Sequence, residues 1–168
     1  MPYSLADLNQ MDQAAFVAAL GAVFEHTPAI AHQTWYQRPF TSVTALHQAM
    51  IQVMHSLSSA EQLALILAHP DLGSKAKMAP ASVQEQAGAG LDRLSPEEYD
   101  RFHHLNQTYR ETFGFPFIIA VKQHTKTSIL AAFEQRLHNS AATEQAQALA
   151  EIAEIAHFRL LDLIPQPA

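Results

Sequence analysis

Only one stretch of this chain, Phe115 to Val121 (FPFIIAV), is apolar enough over enough residues to be a buried strand. A strand needs a hydrogen-bonded neighbour, and no second strand-like run exists to supply one. Elsewhere the apolar residues recur three and four apart, the period of a helix with one buried face. The fold class expected is therefore all-α, with residues 115–121 as buried extended or short helical chain. Helices are expected over 12–25, where Asp12 is a plausible N-cap, over 28–37, over 43–55, and from Ser58 to Ala68, where Ser58 and Glu61 have capping-box spacing. Ser95-Pro96-Glu97-Glu98 is a strong start for another, which Gly114 ends. Two more, over 127–138 and 142–163, finish the chain. The expectation is one domain over residues 1–168, a bundle of about seven or eight helices with a long active-site loop at 69–91.

Composition narrows the function. A net charge of −6 and a pI near 5.9, with ten Lys and Arg residues scattered along the chain, argue against a nucleic-acid or anionic-membrane partner. There is no cysteine, so disulfides, thiolate catalysis and Cys-type metal sites are excluded. MPYSLADLNQMD shows no signal peptide, no apolar run reaches the roughly 20 residues of a membrane span, and a soluble cytoplasmic protein is expected.

The stretch from His69 to Leu91 concentrates reactive and backbone-shaping residues: His69, Pro70, Asp71, Gly73, Lys75, Pro80, Ser82, Glu85, Gln86, Gly88 and Gly90. Loops this long inside a compact domain are usually functional or disordered, and the two prolines favour a fixed path. His69 follows an apolar helix, where the negative end of the dipole favours an imidazolium suited to proton transfer. The plainer alternative is a histidine that satisfies the last carbonyls. Ser82 and Glu85 have capping-box spacing, so they either cap a helix locally or present polar groups to an anionic ligand. Arg159 interrupts the inward stripe Ile152, Ile155, Leu163; it must snorkel to the rim or meet a carboxylate of the protein or of a ligand. Glu154 and His157 match half of a di-iron Glu-x-x-His pair, but only one copy exists and no metal site is expected. The aromatics of FGFPF are expected in the core rather than as a stacking platform.

Taken together, LGAVFEHTP (20–28), WYQRPF (35–40), AHPDLG (68–73), the S-x-x-E-Q-x-x-x-G-L pattern from Ser82 to Leu91, LNQTYRETFGFPFIIAV (105–121) and EIAEIAHFRL (151–160) resemble one family. It is the 2-oxo-4-hydroxy-4-carboxy-5-ureidoimidazoline (OHCU) decarboxylases. The segments span nearly the whole chain in order, and HPDLG, SxxEQ and FGFPF are highly specific in combination. The resemblance implies an all-helical single domain, a homodimer, with no metal or organic cofactor and a small-molecule ureidoimidazoline substrate in urate degradation. It implies His69 as the catalytic proton donor, Glu85 on the substrate's hydroxyl or ring N–H, and Arg159 as the active-site arginine. Substrate contacts are implied for Pro70, for Ser82, Val83, Gln84, Glu85 and Gln86, and for Phe117, Ile118, Ile119, Ala120 and Val121. The sequence departs in small ways, with Gly88 and Ala89 before Gly90 and Val121-Lys122 after FPFIIA. Two competing readings are a non-catalytic helical ligand-binding or docking module, and a carboxylate-bridged metal bundle on Glu154 and His157. The joint presence of His69, Glu85 and Arg159 separates the enzyme from a docking surface, which needs no such trio.

Overall fold

The computed structural model describes residues 2–74 and 77–166; Lys75 lies outside them. Among the described residues there are nine α-helices, three short 3-10 turns and no strand. In order the helices are α1 (Leu5–Gln10), α2 (Gln13–Leu20), α3 (Ala29–Thr34), α4 (Val43–Ser56), α5 (Ser59–Leu67), α6 (Pro80–Gly88), α7 (Pro96–Phe113), α8 (Lys126–Arg136) and α9 (Ala141–Leu163). None is long and apolar enough to cross a membrane.

The helix starts follow local chemistry. The Asp12 carboxylate accepts from the Ala15 amide at 2.8 Å and the Ser42 hydroxyl from Ala45 at 3.0 Å. Ser58 with Glu61, and Ser95 with Glu98, form reciprocal capping boxes. Two expected helices are shorter than their apolar pattern. The first gives way to a 3-10 turn at Gly21–Val23, and α3 gives way to another at Trp35–Gln37. Helix α1 was not expected, because six residues that bury only Leu8 carry no readable stripe. The other extra helix, α6, lies inside the loop at 69–91.

Two compact units make up the chain, residues 1–65 with 153–168, and residues 66–152. In the first, α2 packs on α3 and α3 on α4 around Phe16, Leu20, Ile30, Leu46, Met50 and Met54. Arg38 ties its N-terminal segment down, donating to the carbonyls of Asn9 (2.8 Å) and Met11 (3.0 Å) with its guanidinium 4.1 Å over the Trp35 ring. In the second, α7 packs on α8 around Phe102, Tyr109, Phe117 and Phe133. The Phe117 and Phe133 rings stack at 3.8 Å; of the FGFPF aromatics Phe115 and Phe117 are core, as expected, and Phe113 is half-buried at its edge.

Helix α7 ends at Gly114, whose φ of 82° is left-handed and whose amide donates to Arg110 at 2.8 Å. A Cβ there would meet nothing within 4 Å. Gly114→Ala therefore costs the left-handed backbone alone, about 1–2 kcal/mol, which calorimetry should record as a drop of roughly 2–8 °C in Tm.

Candidate active site

His69 lies just past the end of α5, 6% exposed, with its amide donating to Ile66 at 3.2 Å. The turn that carries it is tied down group by group. The Asp71 carboxylate accepts from Arg110 Nε at 2.8 Å, and the Leu72 carbonyl from Asn106 Nδ2 at 2.9 Å. The Gly73 amide donates to Gln86 Oε1 at 2.9 Å. Gly73 itself has φ 69°, and a Cβ there would stand 2.7 Å from Leu94 Cδ1. The glycine of HPDLG thus answers to backbone conformation and a close approach together.

The SxxEQ pattern belongs to α6, which begins at Pro80 with Ala79 as its N-cap and no side-chain cap. Ser82 is therefore inside the first turn, and the local capping reading of Ser82 and Glu85 does not hold. Ser82 and Gln86 are instead buried on the helix's inner face, with Glu85 half-buried at its margin. Val83 and Gln84 are exposed on the outer face, and Pro70 is half-buried. The pattern's last two residues close the helix. Gly90 (φ 81°) donates to Ala87 at 3.0 Å and Leu91 to Gln86 at 2.9 Å, a Schellman pair anchored by buried Leu91.

Helix α6 packs against the 3-10 turn Val121–Gln123, which follows the irregular buried segment Phe117–Ala120. The His69 turn, the Ser82–Gln86 face and the Phe117–Val121 segment thus occupy one neighbourhood of the second unit. The amides of Phe117, Ile118, Ile119 and Val121 meet no acceptor among the described residues, although all four residues are buried. A buried amide without a protein partner is rare and fits a ligand-facing donor. A cleft lined in part by Gly73, Leu91, Leu94 and Tyr99 also carries Asp92 and Asp100, a poor lining for an anionic substrate.

Arg159 belongs to the first unit, where it is 5% exposed and pairs with Glu25 at 3.1 Å. Its NH1 also approaches the carbonyls of Ala22 (3.3 Å) and Val23 (3.4 Å). Of the two outcomes open to an inward arginine, the structure takes the protein carboxylate over snorkelling. Glu25 precedes His26, whose φ of 45° is unusual for a non-glycine residue. His157 stacks on His47 at 4.8 Å, and no cluster of three metal-ligating side chains exists among the described residues.

Sequence reasoning passed over Arg136, Glu144 and Glu151. Arg136 follows Ile129 and Phe133 at spacings of 4 and 3, the same inward-stripe signal that marked Arg159. Burial raises the Glu151 carboxyl above its ordinary value, against the Arg136 guanidinium, the Ala120 amide and His124, which favour its charge.

Two outcomes follow from this geometry. Gln86→Ala strands the buried Gly73 amide, so it should cost about 1–3 kcal/mol in denaturant unfolding and speed hydrogen exchange at Gly73. A raised carboxyl stabilises the fold below its unfolded value of 4.5 and loses that contribution as pH rises through its folded value. Glu151→Gln should therefore raise the thermal midpoint at about pH 8, with the gain disappearing near about pH 4.

Comparison with known proteins completes the picture. The family model described as OHCU decarboxylase matches residues 9–161. The 2-oxo-4-hydroxy-4-carboxy-5-ureidoimidazoline decarboxylase of Halalkalicoccus jeotgali is 46% identical over 95% of this chain and 91% of its own. The uric acid degradation bifunctional protein PucL of Bacillus subtilis is 44% identical over 98% of this chain but 33% of its own length. Among solved structures, an (S)-allantoin synthase matches with a TM-score of 0.76 at 29% identity, over 96% of this chain and 54% of that one. An OHCU decarboxylase crystallised in the presence of (S)-allantoin shares the fold, with a TM-score of 0.71 at 20% identity over 93% of this chain and all of its own. With that match running through nearly all of its length, the chain belongs to the OHCU decarboxylase family.

Proposed function

We propose that the protein is a carboxy-lyase that converts 2-oxo-4-hydroxy-4-carboxy-5-ureidoimidazoline to (S)-allantoin and CO2 in urate degradation, using no metal or organic cofactor. The observation that carries the reading is the built turn at 69–73. It holds a buried histidine beside the polar face of α6 and near a buried segment several of whose amides have no acceptor among the described residues. Family membership supports the choice of substrate.

The chemistry asks little of a cofactor because the substrate carries its own electron sink. The bond to CO2 breaks heterolytically and its electron pair enters the adjacent ring C=N. The ring nitrogen and the ureido-bearing carbon each take a proton while the hydroxyl gives one up, so one proton is consumed per carboxylate lost. His69 delivers the proton to carbon, and the face it occupies sets the S configuration. Glu85 holds the hydroxyl or ring N–H, and amides of Phe117–Val121 receive the charge that spreads into the ring. Arg159 contacts ring or ureido oxygens rather than the leaving carboxylate. Gripping that carboxylate would stabilise the ground state, and the buried Glu25 beside Arg159 already offsets its charge. The reading extends to one domain over residues 1–168, since the family match crosses both units. It extends also to a homodimer, on the strength of the family resemblance, which light scattering tests, and to a protein of the cytoplasm.

His69→Ala should lower kcat by about 10²–10⁴ in a chiral assay on freshly generated substrate, with helical circular dichroism retained. Undiminished turnover in that variant removes His69 from the mechanism. Binding of (S)-allantoin without any CO2 release by the unaltered protein favours the docking module instead. Stoichiometric metal in elemental analysis of the active protein overturns the metal-free reading.

A further inference from the structure

Arg136, at the end of α8, is 7% exposed and makes contacts that the decarboxylase reading has not used. Its NH1 donates to the Ile118 carbonyl at 2.7 Å, and its guanidinium lies 4.3 Å over the Phe117 ring. Its Nε donates to Glu144 Oε1 at 2.8 Å. Glu144 has no exposed surface and accepts also from the Tyr109 hydroxyl at 2.6 Å and from Asn139 Nδ2 at 2.9 Å. Three donors converging on one buried carboxylate leave the guanidinium little room to turn.

The consequence lies in the next peptide group. The 118–119 peptide bond is trans, and in a planar trans unit the carbonyl and the following N–H point in opposite directions. Fixing the Ile118 carbonyl toward Arg136 therefore aims the Ile119 N–H away from it. A charged donor on the carbonyl also withdraws electron density from the same amide and strengthens its N–H as a donor. That N–H has no acceptor among the described residues, as is also true of the Phe117, Ile118 and Val121 amides, and of the four it is the one whose peptide carbonyl Arg136 holds.

We propose that Arg136 is a positioning residue of the active site. Held by Glu144, it orients and polarises the Ile118–Ile119 peptide so that the Ile119 amide is preset to donate to an oxygen of the ureidoimidazoline as negative charge builds there. The assignment rests on the decarboxylase reading. It differs from a purely structural role for Arg136, which would change how much protein folds but not how the folded protein turns over.

The first measurement uses the unaltered protein, labelled with 15N and titrated with (S)-allantoin. The Ile119 amide resonance should move strongly and the Ile118 amide little. A moving Ile118 beside a still Ile119 overturns the proposal. The second uses Arg136→Lys, whose single ammonium cannot span both Glu144 and the Ile118 carbonyl. In folded variant, kcat should fall by about 10–100-fold with a smaller change in KM, and the Ile119 amide should shift in the free protein. Tyr109→Phe, which keeps Arg136 and loosens its anchor, should lower kcat by about two- to fivefold. If Arg136→Lys does not fold, the Tyr109→Phe kinetics and the titration decide. Unchanged kcat and KM in a folded Arg136→Lys, with a lowered thermal midpoint, makes Arg136 structural and leaves the decarboxylase reading intact. An unaltered protein with neither turnover nor allantoin-induced shifts overturns both.

Discussion

A carboxylate with no access to water sits at the centre of the second unit. Burying Glu144 would cost several kcal/mol if it were unpaired, and its environment answers that cost from three directions. Arg136 stands in the last turn of α8 and Glu144 in the first turn of α9, so each charge faces the helix end that favours it. Tyr109 completes the set from α7. Burial first, and the Glu144 carboxylate second, push its phenol well above the ordinary value, so it stays a neutral donor. Three helices are fixed to one another at one point, and the segment at 117–121 inherits its position from there.

The His69 turn is held by the same logic with smaller forces. Each of its tethers is a hydrogen bond between a helix side chain and a loop group: Arg110 donates to Asp71 and Asn106 to the Leu72 carbonyl, while Gln86 accepts from the Gly73 amide. Asn106 and Arg110 are one helical turn apart on α7, so a single helix face grips two points of the loop. A loop held this way can carry a proton donor at a fixed position, which a mobile loop cannot.

The first unit repeats the buried arginine–glutamate device with Arg159 and Glu25. In both pairs the arginine stands where helical periodicity calls for an apolar residue. In both, the partner glutamate comes from another segment of the chain. Such pairs add little net stability over apolar packing, and their effect is to fix direction. A guanidinium held on one edge by a protein carboxylate can offer its remaining groups along a set line.

The helices were legible because their determinants are local. Apolar spacing, a capping serine or aspartate, and a terminating glycine act within a few residues, and α4, α5, α7, α8 and α9 lie within a residue or two of their expected spans. The lack of a second strand-like run was enough to rule out a sheet. Legibility failed where local signals were short or ambiguous. Helix α1 is too brief for a stripe, and the serine of SxxEQ has cap spacing although Pro80 starts the helix two residues earlier. Which charged groups would meet was decided only by tertiary packing. Glu25 and Arg159 are 134 positions apart, and Asp71 and Arg110 are 39 apart. Periodicity tells a side chain whether to face inward; what waits there depends on how whole helices pack, and no local pattern encodes that.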